Sequence, residues 1–252
     1  MIREFMKSRL DKILVDRGLV ASRERAQALI LAGQVLINEQ KIEKSGALVE
    51  DDCTIRLLGD NLKYVSRGGV KLERALTHWS IDVNGKTCLD VGASTGGFSD
   101  CLLEHGAGRV IAVDTGYGQM DFRLRQDPRV RLLEKTNARF LTHVALGEYV
   151  EFIAVDVSFI SATLILPAVI SSAFAADKPR RGQIVVLVKP QFEAGREHVR
   201  KGGIVRDAAA QLASLEKVRT SLTQLGATQT DSIPSPILGA EGNREFLLYG
   251  LF

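Results

Sequence analysis

Residues 87–100, TCLDVGASTGGFSD, read as a strand, a glycine-rich turn and the opening of a helix. Gly92, Gly96 and Gly97 let the backbone pass close to a ligand, and the helix that follows presents N–H groups to it. The same alternation continues outward from this point. A helix at 70–79 (VKLERALTHW) precedes the strand, and GGFSDCLLEHG carries the helix after the turn. Strands follow in RVIAVDTG (109–116), EFIAVD (151–156) and IVVLVK (184–189), then a long helix over 207–226 capped by Asp207 and Gly226, and a last strand in EFLLYGLF (245–252). Apolar strands alternating with helices imply an α/β fold, a mostly parallel sheet covered on both faces that holds ligands outside its C-terminal strand ends.

Three nucleotide classes use such a turn, and two fit poorly. A triphosphate loop needs Gly-Lys-Ser/Thr, whereas Gly97 is followed by Phe98. A dinucleotide fingerprint needs glycine where Ser94 stands, and Asp90 puts a negative charge near the pyrophosphate position. That charge suits a cation. S-adenosylmethionine carries a sulfonium and an ammonium, no phosphate, and ribose hydroxyls that Asp114, at the end of the next strand, can hold. The expected cofactor residues are Asp90, the turn residues Gly92, Ala93, Ser94, Thr95, Gly96, Gly97 and Phe98, then Asp114, Asp156 and, at the adenine edge, Asn137. A plain turn, and a helix cap for Asn137, are the competing readings.

Two more strands end in charge, one at Asp156 and one at Lys189. A charged group after four or more apolar positions needs an opposite charge near it. If the last strand runs antiparallel beside IVVLVK, Glu245 begins at the same sheet edge. Lys71, one turn into the helix after Gly68-Gly69, can reach that pocket from the linker side. If the methyl acceptor is a hydroxyl, its oxygen must be positioned and its growing negative charge stabilised. Lys189 is the group expected to do this, with Asp156 and Glu245 orienting the two lysines and Lys71 adding positive potential. A purely structural salt-bridge network is the alternative.

Residues 1–60 differ in style. Two short helices flank Gly18, the second beginning at an N-cap Ser22 and ending at Gly33, and short strands follow around Asn38 and in CTIRLL. Arg9, Lys12, Arg17, Arg23 and Arg25 cluster here, diluted by Asp11, Asp16 and Glu24. Residues 61–69 read as a linker, with Gly68-Gly69 as a hinge or tight turn, and 70–252 as the α/β domain. Directly after Lys189, residues 190–207 read as a long irregular loop. It is expected to face RNA, with Phe192 stacking on the target base and Arg196, Arg200 and Lys201 gripping phosphates, or else to be a solvated loop with Phe192 in the core. Arg67, beside the hinge, is a further RNA candidate.

Charge and composition leave the class open: 33 Lys and Arg against 30 Asp and Glu give +3, which permits an anionic partner without requiring one. The three cysteines form no C-x-x-C pair and the four histidines are scattered, so neither a disulfide framework nor a metal site is expected. The longest apolar stretch, LILPAVISSAFAA, is broken by Pro167 and falls short of the ~20 residues of a membrane span. A soluble, cytoplasmic protein is the expectation.

Two resemblances sharpen these readings. Arg9, Leu10, Asp11, Leu14, Ser22, Arg23, Ala26, Leu29, Ile30, Gly33, Val35, Ile37 and Asn38 follow the pattern of the S4 RNA-binding domain, which implies a helical pair laying arginines along structured RNA. SRGGVKL, DVGASTGGF, VDVSFIS, LVKPQFEAGR and NREFLLYG resemble the hemolysin A (TlyA) family, S4-fused relatives of FtsJ-type RNA 2′-O-methyltransferases. That resemblance spans nearly the whole chain. It implies a Rossmann-like methyltransferase domain with a mostly parallel seven-stranded sheet whose last strand is antiparallel, and a catalytic set at Lys71, Asp156, Lys189 and Glu245. It also implies S-adenosylmethionine as donor and the 2′-hydroxyl of ribosomal RNA cytidines, free or in ribosomal subunits, as acceptor. A non-catalytic RNA-binding assembly factor keeping this fold is the main alternative. A membrane-lytic protein has no support in the sequence, which shows no amphipathic membrane stripe.

Overall fold

The computed structural model describes residues 7–17, 19–20, 22–38, 40–51, 53–57, 63–174, 182–200, 202–239 and 242–252. The chain divides into two compact units, residues 1–62 and 63–252.

In the first unit, α1 (Leu10–Asp16) buries Leu10, Ile13 and Leu14, and α2 (Arg23–Leu31) buries Ala26 and Ile30. These close over one small core with Val35, Ile37 and Val49. Ser22 caps α2, its Oγ accepting from the Arg25 N–H at 3.2 Å. The strands are β1 (Lys7–Arg9), β2 (Val35–Ile37), β3 (Gln40–Lys41), β4 (Leu48–Glu50) and β5 (Ile55–Leu57). β1 pairs antiparallel with β4, a ladder the sequence did not suggest, and β2 lies between β3 and β5.

The second unit alternates helix and strand: α3 (Gly68–His78), β6 (Thr87–Val91), α4 (Gly97–Glu104), β7 (Arg109–Val113), α5 (Phe122–Gln126) and β8 (Val130–Leu133). It continues with α6 (His143–Leu146), β9 (Phe152–Val155), α7 (Leu166–Ala173), β10 (Gln183–Val188), α8 (Pro190–Glu193), α9 (Ala208–Gln224), β11 (Gln229–Pro234) and β12 (Phe246–Leu251). One seven-stranded sheet results, in the order β11-β12-β10-β9-β6-β7-β8. Only β12 runs against the others, since it is antiparallel to both β10 and β11. Side chains alternate strictly between the two faces. Leu89, Ile111, Ile153 and Val186 pack under Val169 of α7 and Val218 of α9, while Cys88, Val110, Phe152 and Val185 pack under Leu72 of α3 and Leu102 of α4. The chain leaves β6 toward β7 on one side and returns as β9 on the other, so the switch point lies between β6 and β9. Among the described residues no helix is long and apolar enough to cross a membrane.

Two expectations about connections change. Gly68 and Gly69, read as a hinge or tight turn, form the first turn of α3. The reason is packing: Tyr64 is only 2% exposed, and a Cβ on Gly69 would sit 2.3 Å from its ring. Tyr64 and Val65 thus belong to the core of the second unit. The stretch after Lys189 is also more ordered than an irregular loop, with α8, a single turn at Arg196–His198 and an isolated bridge between Arg200 and Ile204. Gly69→Val is expected to lower the unfolding free energy by about 1–3 kcal/mol through overpacking. Urea denaturation measures this, and a flexible hinge would show no loss.

Candidate active site

At the switch point the ends of β6 and β9 come into backbone contact. Gly92 has φ +87°, and a Cβ there would lie 2.4 Å from the carbonyl oxygen of Asp156, so only glycine fits without moving the backbone. Two adjoining cavities open around this contact and share Gly92, Ser94 and Asp156 in their walls. The smaller, about 250 Å³, is lined by turn residues 92–95, 97 and 98 and by Arg67 and Lys71. The larger, about 500 Å³, is lined by Asp114 and Asn137 together with residues 156–160. An elongated ligand with polar groups at both ends fits the combined space.

The four charged residues expected at the strand ends form two pairs. Lys189, at the end of β10, places Nζ 2.6 Å from Asp156 Oδ1 and donates to Ser158 Oγ at 2.7 Å. Lys71, in α3, places Nζ 2.5 Å from Glu245 Oε2. The β10–β12 register explains why they meet. Val188 faces Phe246, so one more step brings Lys189 opposite Glu245. Lys71 and Asp156 stand in the wall of the smaller cavity. Lys189 backs Asp156 and Glu245 backs Lys71, all within a largely buried cluster: the side chains are 10% exposed for Lys189, 11% for Lys71 and 2% for Glu245.

The turn departs from expectation at two residues. Asp90 is fully buried and lines neither cavity; its carboxylate turns under the turn and accepts from Ser99 Oγ at 2.6 Å. Burial, and then the nearby Asp156 and Asp114 charges, outweigh that hydrogen bond and push its pKa up to about 7. The open negative charge proposed for this position is therefore not there. Gly96 is buried too, serving as the left-handed cap of α4 at φ +96°. Asp114 does reach the larger cavity, and its two oxygens accept from the N–H groups of Ser94 at 2.7 Å and Gly116 at 2.6 Å. Asn137 both lines that cavity and caps the following turn by accepting from the Arg139 N–H at 3.0 Å.

Three residues at the site went unread in the sequence. Ser158 holds Lys189. Phe159 is 92% exposed in the wall of the larger cavity, with φ +65°, a backbone state that costs a non-glycine residue of order 1–3 kcal/mol and concentrates at functional sites. Glu193 is 7% exposed. It accepts from Ser161 Oγ at 2.5 Å and the Ala162 N–H at 2.6 Å and pairs with Lys217 at 3.1 Å. In doing so it ties the segment after Asp156 to the one after Lys189. Phe192 is half-buried, its ring 5.4 Å from that of Phe159, so it is neither a core residue nor fully open. Arg196 and Arg200 are exposed, and Lys201 lies outside the described residues. In the first unit, Lys12 is exposed, Arg25 is half-buried, and Arg9 and Arg23 both contact Asp11.

Fold and site define a methyltransferase of the FtsJ type. Residues 64–252 match the family model described as FtsJ-like methyltransferase, and residues 8–52 match that of the S4 domain. The chain belongs to the FtsJ-like methyltransferase family and carries an S4 domain at its N-terminal end. It is 43% identical to TlyA of Mycobacterium tuberculosis, described as a 16S/23S rRNA (cytidine-2′-O)-methyltransferase, over 96% of this chain and 89% of that one. It is 40% identical to Hemolysin A of Brachyspira hyodysenteriae, over 96% of this chain and 98% of the other. A solved structure from Streptococcus thermophilus, 41% identical, superposes with a TM-score of 0.73 over 97% of this chain and 88% of its own.

The raised Asp90 pKa makes a testable statement about stability. A carboxyl whose folded pKa lies above its unfolded value of ~3.9 stabilises fully below that value and loses the contribution as pH rises through the folded pKa. Asp90→Asn should therefore gain on wild type in thermal melts between about pH 4 and pH 7, and hold the gain above. A pH-independent difference would show an ordinary carboxylate.

Proposed function

We propose that this chain transfers a methyl group from S-adenosylmethionine to a ribose 2′-hydroxyl of ribosomal RNA, on a cytidine, acting on free RNA or on ribosomal subunits in the cytoplasm. The observation that carries the reading is the convergence of two buried lysine–carboxylate pairs on cavities built around a glycine turn. The relatives' descriptions name the same class of reaction for them.

The residues fit the donor. The close approach at Gly92 brings the ends of β6 and β9 together beside both cavities, and turn residues 92–95, 97 and 98 form one wall of the smaller. The presence of Asp114 and Asn137 in the wall of the larger cavity supports their reading as the residues for the ribose hydroxyls and the base edge. S-adenosylmethionine, when bound, supplies an electrophilic methyl on a sulfonium.

The chain's own residues deal with the acceptor oxygen. An ammonium has three donors. Ser158 Oγ takes one from Lys189, whose Nζ also lies 2.6 Å from Asp156 Oδ1, so at least one is left for the hydroxyl. Reacting as the neutral amine, Lys189 takes the hydroxyl proton, and the ammonium that results stabilises the oxygen as it becomes negative. Asp156 fixes Lys189, while Glu245 fixes Lys71, whose charge draws the ribose and its phosphates to the smaller cavity. Phe159, with Phe192 against it, offers an apolar face to the target base. Arg67, Arg196 and Arg200 meet phosphates, as do the S4 arginines.

Lys189→Ala is expected to cut methylation of ribosomal RNA by about 10²–10³-fold while donor affinity, measured by calorimetry, stays within a few-fold. Incorporation of tritiated methyl, with mapping of 2′-O-methyl marks, reads the first quantity. Unchanged methylation with donor binding intact would remove Lys189 from the chemistry, and a wild type with no incorporation would favour a non-catalytic RNA-binding factor.

A further inference from the structure

Asp11 is 0% exposed, an unusual place for a carboxylate on a helix of seven residues. It is held there by three side chains. Arg9 grips it with two hydrogen bonds, Nε to Oδ1 at 3.0 Å and Nη2 to Oδ2 at 2.9 Å. Arg23 Nη2 donates to Oδ2 at 3.1 Å and Gln27 Nε2 to the same oxygen at 2.9 Å. Arg9 comes from β1 and Arg23 opens α2, so one buried anion links two elements of the S4 unit. The Arg9 pair holds the Asp11 carboxyl well below the usual carboxylate range.

The two guanidinium groups stay half in solvent, their side chains 50% and 52% exposed. Because both reach Oδ2, their Nη2 atoms lie within about 6 Å of one another. Arginine has five N–H donors, so each keeps donors beyond those spent on Asp11. The cluster of two cations and one anion retains one positive charge. Donors this close reach the two free oxygens of one phosphodiester at charge-assisted lengths of about 2.7–2.9 Å.

We propose that Asp11 is a positioning residue that locks Arg9 and Arg23 into a clamp for a single RNA phosphate. The inference rests on the RNA-binding reading of the first unit and specifies how its charges act. An arginine side chain costs up to about 2 kcal/mol of rotamer freedom to hold in one place. A buried carboxylate that holds both before RNA arrives removes that cost from the binding step.

Removing Asp11 raises the net positive charge, so charge alone predicts that Asp11→Asn binds RNA more tightly, whereas the clamp predicts weaker binding. The test uses the full chain, a fluorescein-labelled RNA stem-loop, and anisotropy titrations over a salt series. Asp11→Asn should weaken binding about tenfold with an unchanged melting temperature. Each phosphate contact contributes about one unit to the slope of log affinity against log salt. Arg9→Ala, Arg23→Ala and the double variant should therefore each lower the slope by about one, the two affinity losses failing to multiply. Tighter or equal binding by Asp11→Asn overturns the proposal, and so does a slope loss of about two in the double variant. Should Asp11→Asn unfold the first unit by circular dichroism, the cycle of the two exposed arginines decides alone. A wild type with no affinity for the stem-loop would sink the RNA-binding reading itself, and the clamp with it.

Discussion

A buried ammonium must find an anion within hydrogen-bond reach, and the second unit satisfies that requirement twice beside the C-terminal ends of its central strands. Breaking a buried ion pair by removing one partner costs about 3–5 kcal/mol, yet replacing both partners with apolar groups is often neutral or stabilising. Stability alone gives little reason for four such charges at the mouth of the sheet. Their arrangement makes sense as positioning. The reversed β12 delivers Glu245 opposite Lys189, but Glu245 is spent on Lys71, which leaves Asp156 and Ser158 to hold Lys189. Each lysine has its own carboxylate, and neither pair shares its anion with the other.

The loops that follow these strand ends are held by the same economy of buried charge. Glu193 satisfies Ser161, the Ala162 N–H and Lys217 at once, so the segment after Asp156 cannot drift from the segment after Lys189. The strained Phe159 sits inside the first of those segments. A left-handed backbone at a phenylalanine persists only where its surroundings over-determine it. Glu193 on one side and the Lys189–Ser158 bond on the other provide that constraint.

Much of this was legible in the residues. The central strands β6, β7, β9 and β10 stood out because strands buried on both faces are nearly continuous apolar runs. Lys189 and Asp156 stood out because charge after such a run needs explaining. β8 and β11 did not, and the topology says why: they are the two edges of the sheet. VRLL carries an arginine, and neither it nor QTDSIP holds a fully buried position, the polar habit of edge strands. Gly68 and Gly69 misled for the opposite reason. Their helix propensity is poor, and only the tertiary position of Tyr64 shows that a side chain is excluded there while a helix is not. Asp90 was placed on the correct strand but given the wrong environment, because sequence locates a carboxylate without showing that Ser99 and the helix above it close it off from solvent.

That misplacement matters for the electrostatics of the turn. Three carboxylates, Asp90, Asp114 and Asp156, lie at the ends of neighbouring strands, with Asp156 and Asp114 both raising the pKa of Asp90. Were all three ionised and open, the Asp156 charge that holds Lys189 would be one of several competing for the same cation. Burial of Asp90 pushes its charge change to about 7 and satisfies one oxygen through Ser99. Asp114 accepts from the N–H groups of Gly116 in its own turn and of Ser94 in the glycine turn. At the wall of the smaller cavity that leaves Asp156, with Lys189 behind it, and Lys71, with Glu245 behind it. In the proposed reaction Lys189 then faces an incoming hydroxyl with its geometry set by one anion, the condition that lets a lysine at the end of a strand serve the chemistry of the neighbouring cavity.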